Sequence, residues 1–315
     1  MMACDTAFRI MARRYLGRSY YAIGDYRKAI EVFRQIVGAP GADPAPAATS
    51  GSAVLTRVFL MLCLAELGEF AEAARYGEES LAIAQAIDHP FNLCAAHSAL
   101  GRVHVHHGEF GKAAPLLEKG FEICKTANIP LLLPFSASPL GACYLGLGRT
   151  KEALPLLEAA VEHATSMRRM VEYAQWTFWL SQALLLDGSL DRAAEAAERA
   201  LEFAQTYKER GQQAWTLRLL GDICVQRGPA AFGQAEEHYR QCLALAHELG
   251  MRPLQARCHL SFGLLHGHAG RDDEAHTALS TAHELMQAMN MTFWRERAET
   301  ALAKLDGATR TIPGG

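Results

Sequence analysis

The chain has 315 residues and a formal net charge of −3, from 31 Lys+Arg against 34 Asp+Glu, which excludes the strong basic excess of a nonspecific nucleic-acid binder. Half of the residues are hydrophobic but only 8% are aromatic, and Ala and Leu carry most of the apolar content, which favours helices over sheets. The longest apolar stretch, residues 129–135, holds two prolines, whereas a bilayer span needs about 20 apolar residues.

In chain order, one cassette recurs: a small residue, about six mostly apolar residues, Gly, often an aromatic, then Ala. It opens with Gly17, Gly24, Tyr26 and Ala29, and continues with Met61, Gly68, Phe70 and Ala73, then Gly101, Gly108, Phe110 and Ala113. Gly141, Gly148 and Ala153 follow, then Ser181, Gly188 and Ala193, then Gly221, Gly228 and Ala235, and finally Gly263, Gly270 and Ala275. The alanines lie 40 residues apart, except for 44 in the first interval and 42 between Ala193 and Ala235. Apolar residues recur three and four apart on both sides of each turn glycine, as in Leu154, Leu157 and Val161, so each unit is two helices joined by a tight turn. The small residue before the turn and the Ala after it fall where the two helices touch, a requirement of packing alone.

Pro90, Pro130 and Pro253 fall at the openings of first helices, where a missing N–H costs little. Pro115 and Pro155 lie past the first turn of second helices and each removes one backbone hydrogen bond there. Residues 38–52, rich in Gly, Pro, Ala and Ser, read as a flexible loop within the array. The first helix begins at the N-terminus without a polar capping helix, so the chain either pairs with something there or belongs to a larger polypeptide. Residues 293–305 form a further amphipathic helix that caps the last unit, and 306–315 are expected to be disordered. Residues 1–17, interrupted by Asp5, Arg9, Arg13 and Arg14, offer no signal-peptide run, and eight cysteines without a C-x-x-C pair read as reduced core thiols of a cytoplasmic protein.

The run Tyr15-Leu16-Gly17, Tyr20, Ala29 and Phe33, and the set Gly141, Tyr144, Ala153, Leu157 and Ala160, resemble the tetratricopeptide repeat (TPR). The resemblance implies an all-α, right-handed TPR-like solenoid of about seven hairpins spanning residues 1–305, with helices longer than in the usual repeat of about 34 residues. HEAT and armadillo repeats have periods nearer 40 but lack this Gly-aromatic-Ala turn. Stretches such as AEEHYRQCLALAHELGMRPLQARCHL and MTFWRERAETALAKL further resemble the C-terminal TPR region of bacterial multidomain signalling proteins that carry a class III cyclase domain and a nucleotide-binding ATPase domain. The sequence has no G-x-x-x-x-G-K-[ST] loop, so neither activity carries over to these residues.

No H-E-x-x-H or G-x-S-x-G motif is present, and no catalytic residue or cofactor is assigned. His104 and His107 have one spacing a metal could use, but His104 and His266 occupy the repeat position of Tyr20 and Tyr144, so the histidines are read as structural and no metal is assigned. Transfer of TPR groove positions, as the resemblance implies, gives Arg14 and Arg18, Ser98 and Arg102, Phe135 and Ser138, then Gln175, Phe178 and Gln182, then Trp215, Arg218 and Asp222, and Arg257. Trp176 and Trp179 are expected to pack between units. Five arginines against one aspartate suit an acidic or carboxylate-ended peptide anchored by Phe178 and Trp215. The competing reading pairs these arginines with glutamates of neighbouring units. The functional expectation is a noncatalytic protein- or peptide-binding scaffold of bacterial signalling; the alternative is a small-molecule-sensing regulatory domain for a cyclase or ATPase domain docked at the N-terminal end.

Overall fold

A computed structural model describes the backbone of residues 2–38, 51–168 and 172–310, and side chains within 8–38, 51–168 and 172–306. Fifteen α-helices form seven hairpins and a terminal helix among the described residues. The first helices of the hairpins are α1 (Met2–Ile23), α3 (Gly51–Leu67), α5 (Pro90–His107), α7 (Leu133–Gly146), α9 (Tyr173–Leu186), α11 (Arg210–Arg227) and α13 (Arg252–His268). Their partners are α2 (Tyr26–Val37), α4 (Phe70–Ile87), α6 (Phe110–Thr126), α8 (Thr150–Ser166), α10 (Leu190–Thr206), α12 (Phe232–Leu249) and α14 (Asp272–Ala288), and α15 (Thr292–Arg310) closes the array. Most helices run 17 or 18 residues, which accounts for the 40-residue period. Because α3 starts at Gly51, residues 51 and 52 of the expected loop are helical, and 39–50 lie outside the described residues. Likewise α15 continues through residue 310, so only 311–315 of the expected tail fall outside them.

Each feature of the cassette has a physical cause. The seven turn glycines, from Gly24 to Gly270, all have positive φ between 70° and 100°, a region that costs a side chain about 1–2 kcal/mol. The seven cassette alanines, Ala29 through Ala275, are wholly buried. The small residue of the first helix is filled from the second: Gly17 lies against Phe33, Gly101 against Leu117, Gly141 against Leu157 and Gly263 against Leu279. Ser181 instead donates its hydroxyl to the Ala193 carbonyl at 2.7 Å. Unit two exchanges the sizes, with a buried Met61 and, sixteen residues on, Gly77, whose missing side chain makes room for Leu100. Pro115 and Pro155 sit inside unbroken helices, as does Pro139 in α7.

A second periodicity lies in the turns between hairpins. Asp88, Asn128, Arg168, Lys208, Gly250 and Asn290 all have positive φ, and they too recur at 40 residues with one interval of 42. Five of these six carry side chains, so only the backbone betrays the repeat.

The solenoid returns on itself after five units. The turn of unit one at Gly24 meets the start of α11 at Gly211, the turn of unit two at Gly68 meets Pro253 and Met289, and the turn of unit three at Gly108 meets Phe293 and Trp294. His107 Nε2 bonds the Met289 carbonyl at 3.1 Å, and the Phe110 and Phe293 rings meet edge-on at 4.9 Å. Successive superhelical turns are therefore in van der Waals contact, and the inner face lines a cavity.

These packing rules make opposite predictions for two substitutions. Gly221→Ala would drive a methyl into the Tyr239 ring and is expected to lower stability by about 1–3 kcal/mol. Lys208→Gly relieves a left-handed backbone and is expected to raise it by roughly 0.5–1 kcal/mol. Thermal melts of both variants beside the parent check the pair; a neutral Gly221→Ala would show that hairpin contact does not set the residue size there.

Candidate functional site

The inner face divides into a buried lock and an open cavity. In the lock, α5 places Arg102 at 3% exposure, where Nη2 donates to the Tyr21 hydroxyl at 2.8 Å and Nη1 to Glu172 at 3.2 Å. A third partner, Glu66 of α3, is 2% exposed and lies 3.9 Å from Arg102. Glu66 also accepts a hydrogen bond from the Trp215 indole at 3.0 Å, across 149 residues of sequence. Burial raises the Glu66 pKa against the pull of Arg102 and Trp215. The neighbouring His106, half-buried at the cavity wall and 3.9 Å from Glu66, is pushed well below its ordinary pKa by burial and by the charges of Arg102 and Arg257. One guanidinium thus ties together the helices of units one, two and three and the entry to α9, while Glu66 adds unit six.

Beside the lock lies a cavity of about 830 Å³ lined from α5 through α15. Gln175, Phe178 and Gln182 of α9 reach it, as do Trp215, Arg218 and Asp222 of α11 and Arg257 of α13. The groove positions transferred to these three helices are therefore brought together. Those transferred to earlier helices are not. Arg102 is consumed by the lock, and Ser98, Phe135 and Ser138 are buried among the first helices, which in this array pack directly on one another. Arg14 bonds the Ser52 hydroxyl at 3.0 Å, and Arg18 lies over the Phe59 ring at 4.8 Å, both away from the cavity. Trp176 is 1% exposed in the interior as expected, but Trp179 lines the cavity and places its ring 5.6 Å from Arg102.

Trp294 and Arg297, which the cap helix α15 contributes to the lining, were invisible to repeat transfer because α15 has no partner helix to mark it as a unit. The indole of Trp294 stacks on the Arg257 guanidinium at 4.0 Å, and Trp215 approaches the same guanidinium at 5.0 Å. Asp222 accepts from Arg218 at 2.5 Å, Tyr239 at 2.7 Å and Ser261 at 2.9 Å. In contrast the Gln175 and Gln212 side-chain carbonyls are buried without a hydrogen-bond partner. His104 and His107 both approach Glu109, at 2.8 and 3.2 Å, and no group of three or more His, Cys, Asp or Glu suited to a metal occurs among the described residues. No described helix is long and apolar enough to cross a membrane. The seven described cysteines are buried and unpaired.

Tetratricopeptide-repeat family models match residues 16–44, 56–126 and 143–208. The chain is thus a TPR-type α-solenoid, the class its turns and helix contacts define. No curated protein matches the sequence. Among solved structures, NprR in complex with its cognate peptide NprX is similar over 94% of this chain and 82% of its own, with a TM-score of 0.63 and 13% identity. The apo form of RapI is similar over 94% and 99%, with a TM-score of 0.58 and 14% identity. A Rap protein complexed with competence and sporulation factor is similar over 95% and 98%, with a TM-score of 0.58 and 10% identity. At these identities the likeness is one of fold.

The entry to α11 carries a pH-dependent strain. Burial, reinforced by the nearby charge of Glu172, raises the Glu209 pKa to about 7, whereas the unfolded chain titrates as an ordinary carboxylate near about 4.3. The folded state therefore holds this proton more tightly, and the stability it contributes is complete below the unfolded pKa and is lost as pH rises to about 7. Glu209→Gln is expected to gain melting temperature relative to the parent steadily between about pH 4.5 and 7.5; a difference independent of pH would refute the assignment.

Proposed function

We propose that this chain is a noncatalytic interaction module of bacterial signalling that receives a peptide or an extended protein segment inside its superhelix. The observation that carries this reading is the cavity itself: Phe178, Trp179, Trp215 and Trp294 offer rigid apolar anchors, and the unpaired Gln175 and Gln212 amides offer acceptors for backbone N–H groups. NprR and the Rap protein, similar in fold, were solved with the peptide NprX and with competence and sporulation factor, which supports a peptide as the occupant. Arg218, Arg257 and Arg297 against Asp222 leave the lining with an excess of positive charge, which favours an acidic partner.

The cavity volume also lies within the range of about 300–1,000 Å³ typical of small-molecule sites. It therefore supports a second reading, a metabolite-sensing domain that regulates a cyclase or ATPase domain. The exposed Phe8, Met11, Tyr15 and Leu16 of α1 give such a domain an apolar docking strip.

Selection of random heptapeptides on the protein, followed by fluorescence anisotropy, tests the first reading. Selected peptides are expected to lose at least about tenfold in affinity on Gln182→Trp, which fills the cavity without touching the core, a change of about 1.4 kcal/mol or more. Failure of selection, together with a melting-temperature rise on a metabolite panel, would favour the second reading; peptides indifferent to Gln182→Trp would place binding elsewhere.

A further inference from the structure

Three arginines line the cavity, Arg218 from α11, Arg257 from α13 and Arg297 from the cap helix α15, and the charges of the first and last act on Arg257. Several arginines outside the cavity pair with glutamates, as in Arg34 with Glu72 at 2.7 Å, Arg192 with Glu158 at 2.8 Å and Arg149 with Glu152 at 2.6 Å. None of the three cavity arginines has a glutamate partner among the described residues. Arg257 makes no ion pair among the described residues and is held instead between the Trp215 and Trp294 rings. Arg297 is exposed and lies over the Phe293 ring at 4.7 Å, likewise without a carboxylate. Arg218 is 5% exposed, and although Asp222 takes one of its nitrogens, Nε and Nη2 have no hydrogen-bond partner. The Trp294 indole N–H is also buried and unpaired.

Such an arrangement is costly unless something completes it. Burial first, then the positive charges of Arg218 and Arg297, press the Arg257 pKa well below its ordinary value against the pull of Asp222, and that single carboxylate of the lining already accepts from three donors, none of them Arg257 or Arg297. An anion with two or three oxygens would supply acceptors for the unused donors and neutralise the mutual repulsion. The stacked, planar guanidinium of Arg257 is already fixed in orientation, as two-point recognition of an oxyanion requires.

We propose that Arg218, Arg257 and Arg297 form a subsite for one oxyanion group. Taking that group to be a carboxylate of a bound peptide, its C-terminus or an acidic side chain, rests on the peptide reading above. The site itself does not depend on that source, since a phosphate presents the same oxygens.

Two arms of one calorimetric experiment separate the possibilities. In the first, inorganic phosphate is titrated into the parent, Arg257→Gln, Arg297→Gln and, as a charge-matched surface control, Arg192→Gln, at constant ionic strength. One phosphate per chain is expected for the parent and the control, with at least a tenfold weaker dissociation constant in the two cavity variants. Arg297 is exposed, so its variant keeps the test valid even if Arg257→Gln unfolds, which a thermal melt reports. In the second arm, the peptides are one heptapeptide library with free or amidated C-termini and with Glu or Gln at its acidic positions. A preference for the carboxylate forms that vanishes in Arg297→Gln identifies the peptide as the source. Phosphate binding with no peptide binding would keep the oxyanion site and overturn the peptide reading. Peptides that bind regardless of carboxylates and of both variants would keep the peptide reading and overturn the oxyanion site, as would phosphate binding unchanged by Arg297→Gln.

Discussion

The closed superhelix depends on a buried ionic contact. Arg102 faces Glu172 and, farther off, Glu66, and its Tyr21 bond and the Trp215 bond to Glu66 extend that contact through units one, two, three, five and six. A charge taken from water is stable in such surroundings only with its partners in place, and removing one partner from a buried pair costs about 3–5 kcal/mol. Apolar contacts between the turns, such as Phe110 with Phe293, tolerate sliding, whereas the Arg102 cluster fixes one register of one superhelical turn on the next. The size and lining of the cavity follow from that register.

Repetition explains how so much of this was legible in the sequence. A turn glycine, a buried alanine and a small residue opposite a large one recur because every hairpin solves the same contact problem, and seven copies average out local exceptions such as Met61. Hence the helix pairs, their 40-residue period and the capping role of α15 follow from pattern alone. The left-handed residues between hairpins were not legible, because Asp88, Asn128, Arg168 and Lys208 share a backbone geometry without sharing a side chain.

The candidate site was readable in its second half only. Gln175, Phe178, Gln182, Trp215, Arg218, Asp222 and Arg257 line the cavity because α9, α11 and α13 present the face that TPR analogy assigns them. Arg102 obeys the same analogy in position but not in role, since closure after five units brings Glu172 and Glu66 to it, a long-range consequence of curvature that no single repeat encodes. Arg14 and Arg18 are taken up instead by the second unit, at the Ser52 hydroxyl and the Phe59 ring. Trp294 and Arg297 enter the cavity from a helix outside the repeat, which is why periodicity could not find them.

Closure of the superhelix by the Arg102 cluster is the claim on which the cavity rests, and electron–electron double resonance tests it directly. Spin labels carried by unnatural amino acids at the exposed positions 112 and 296 report the separation of the turn of unit three from α15. One narrow distance distribution is expected in the parent protein and a broad one shifted to longer distances in Arg102→Met. A broad distribution in the parent, or a narrow one that survives Arg102→Met unchanged, would contradict that claim.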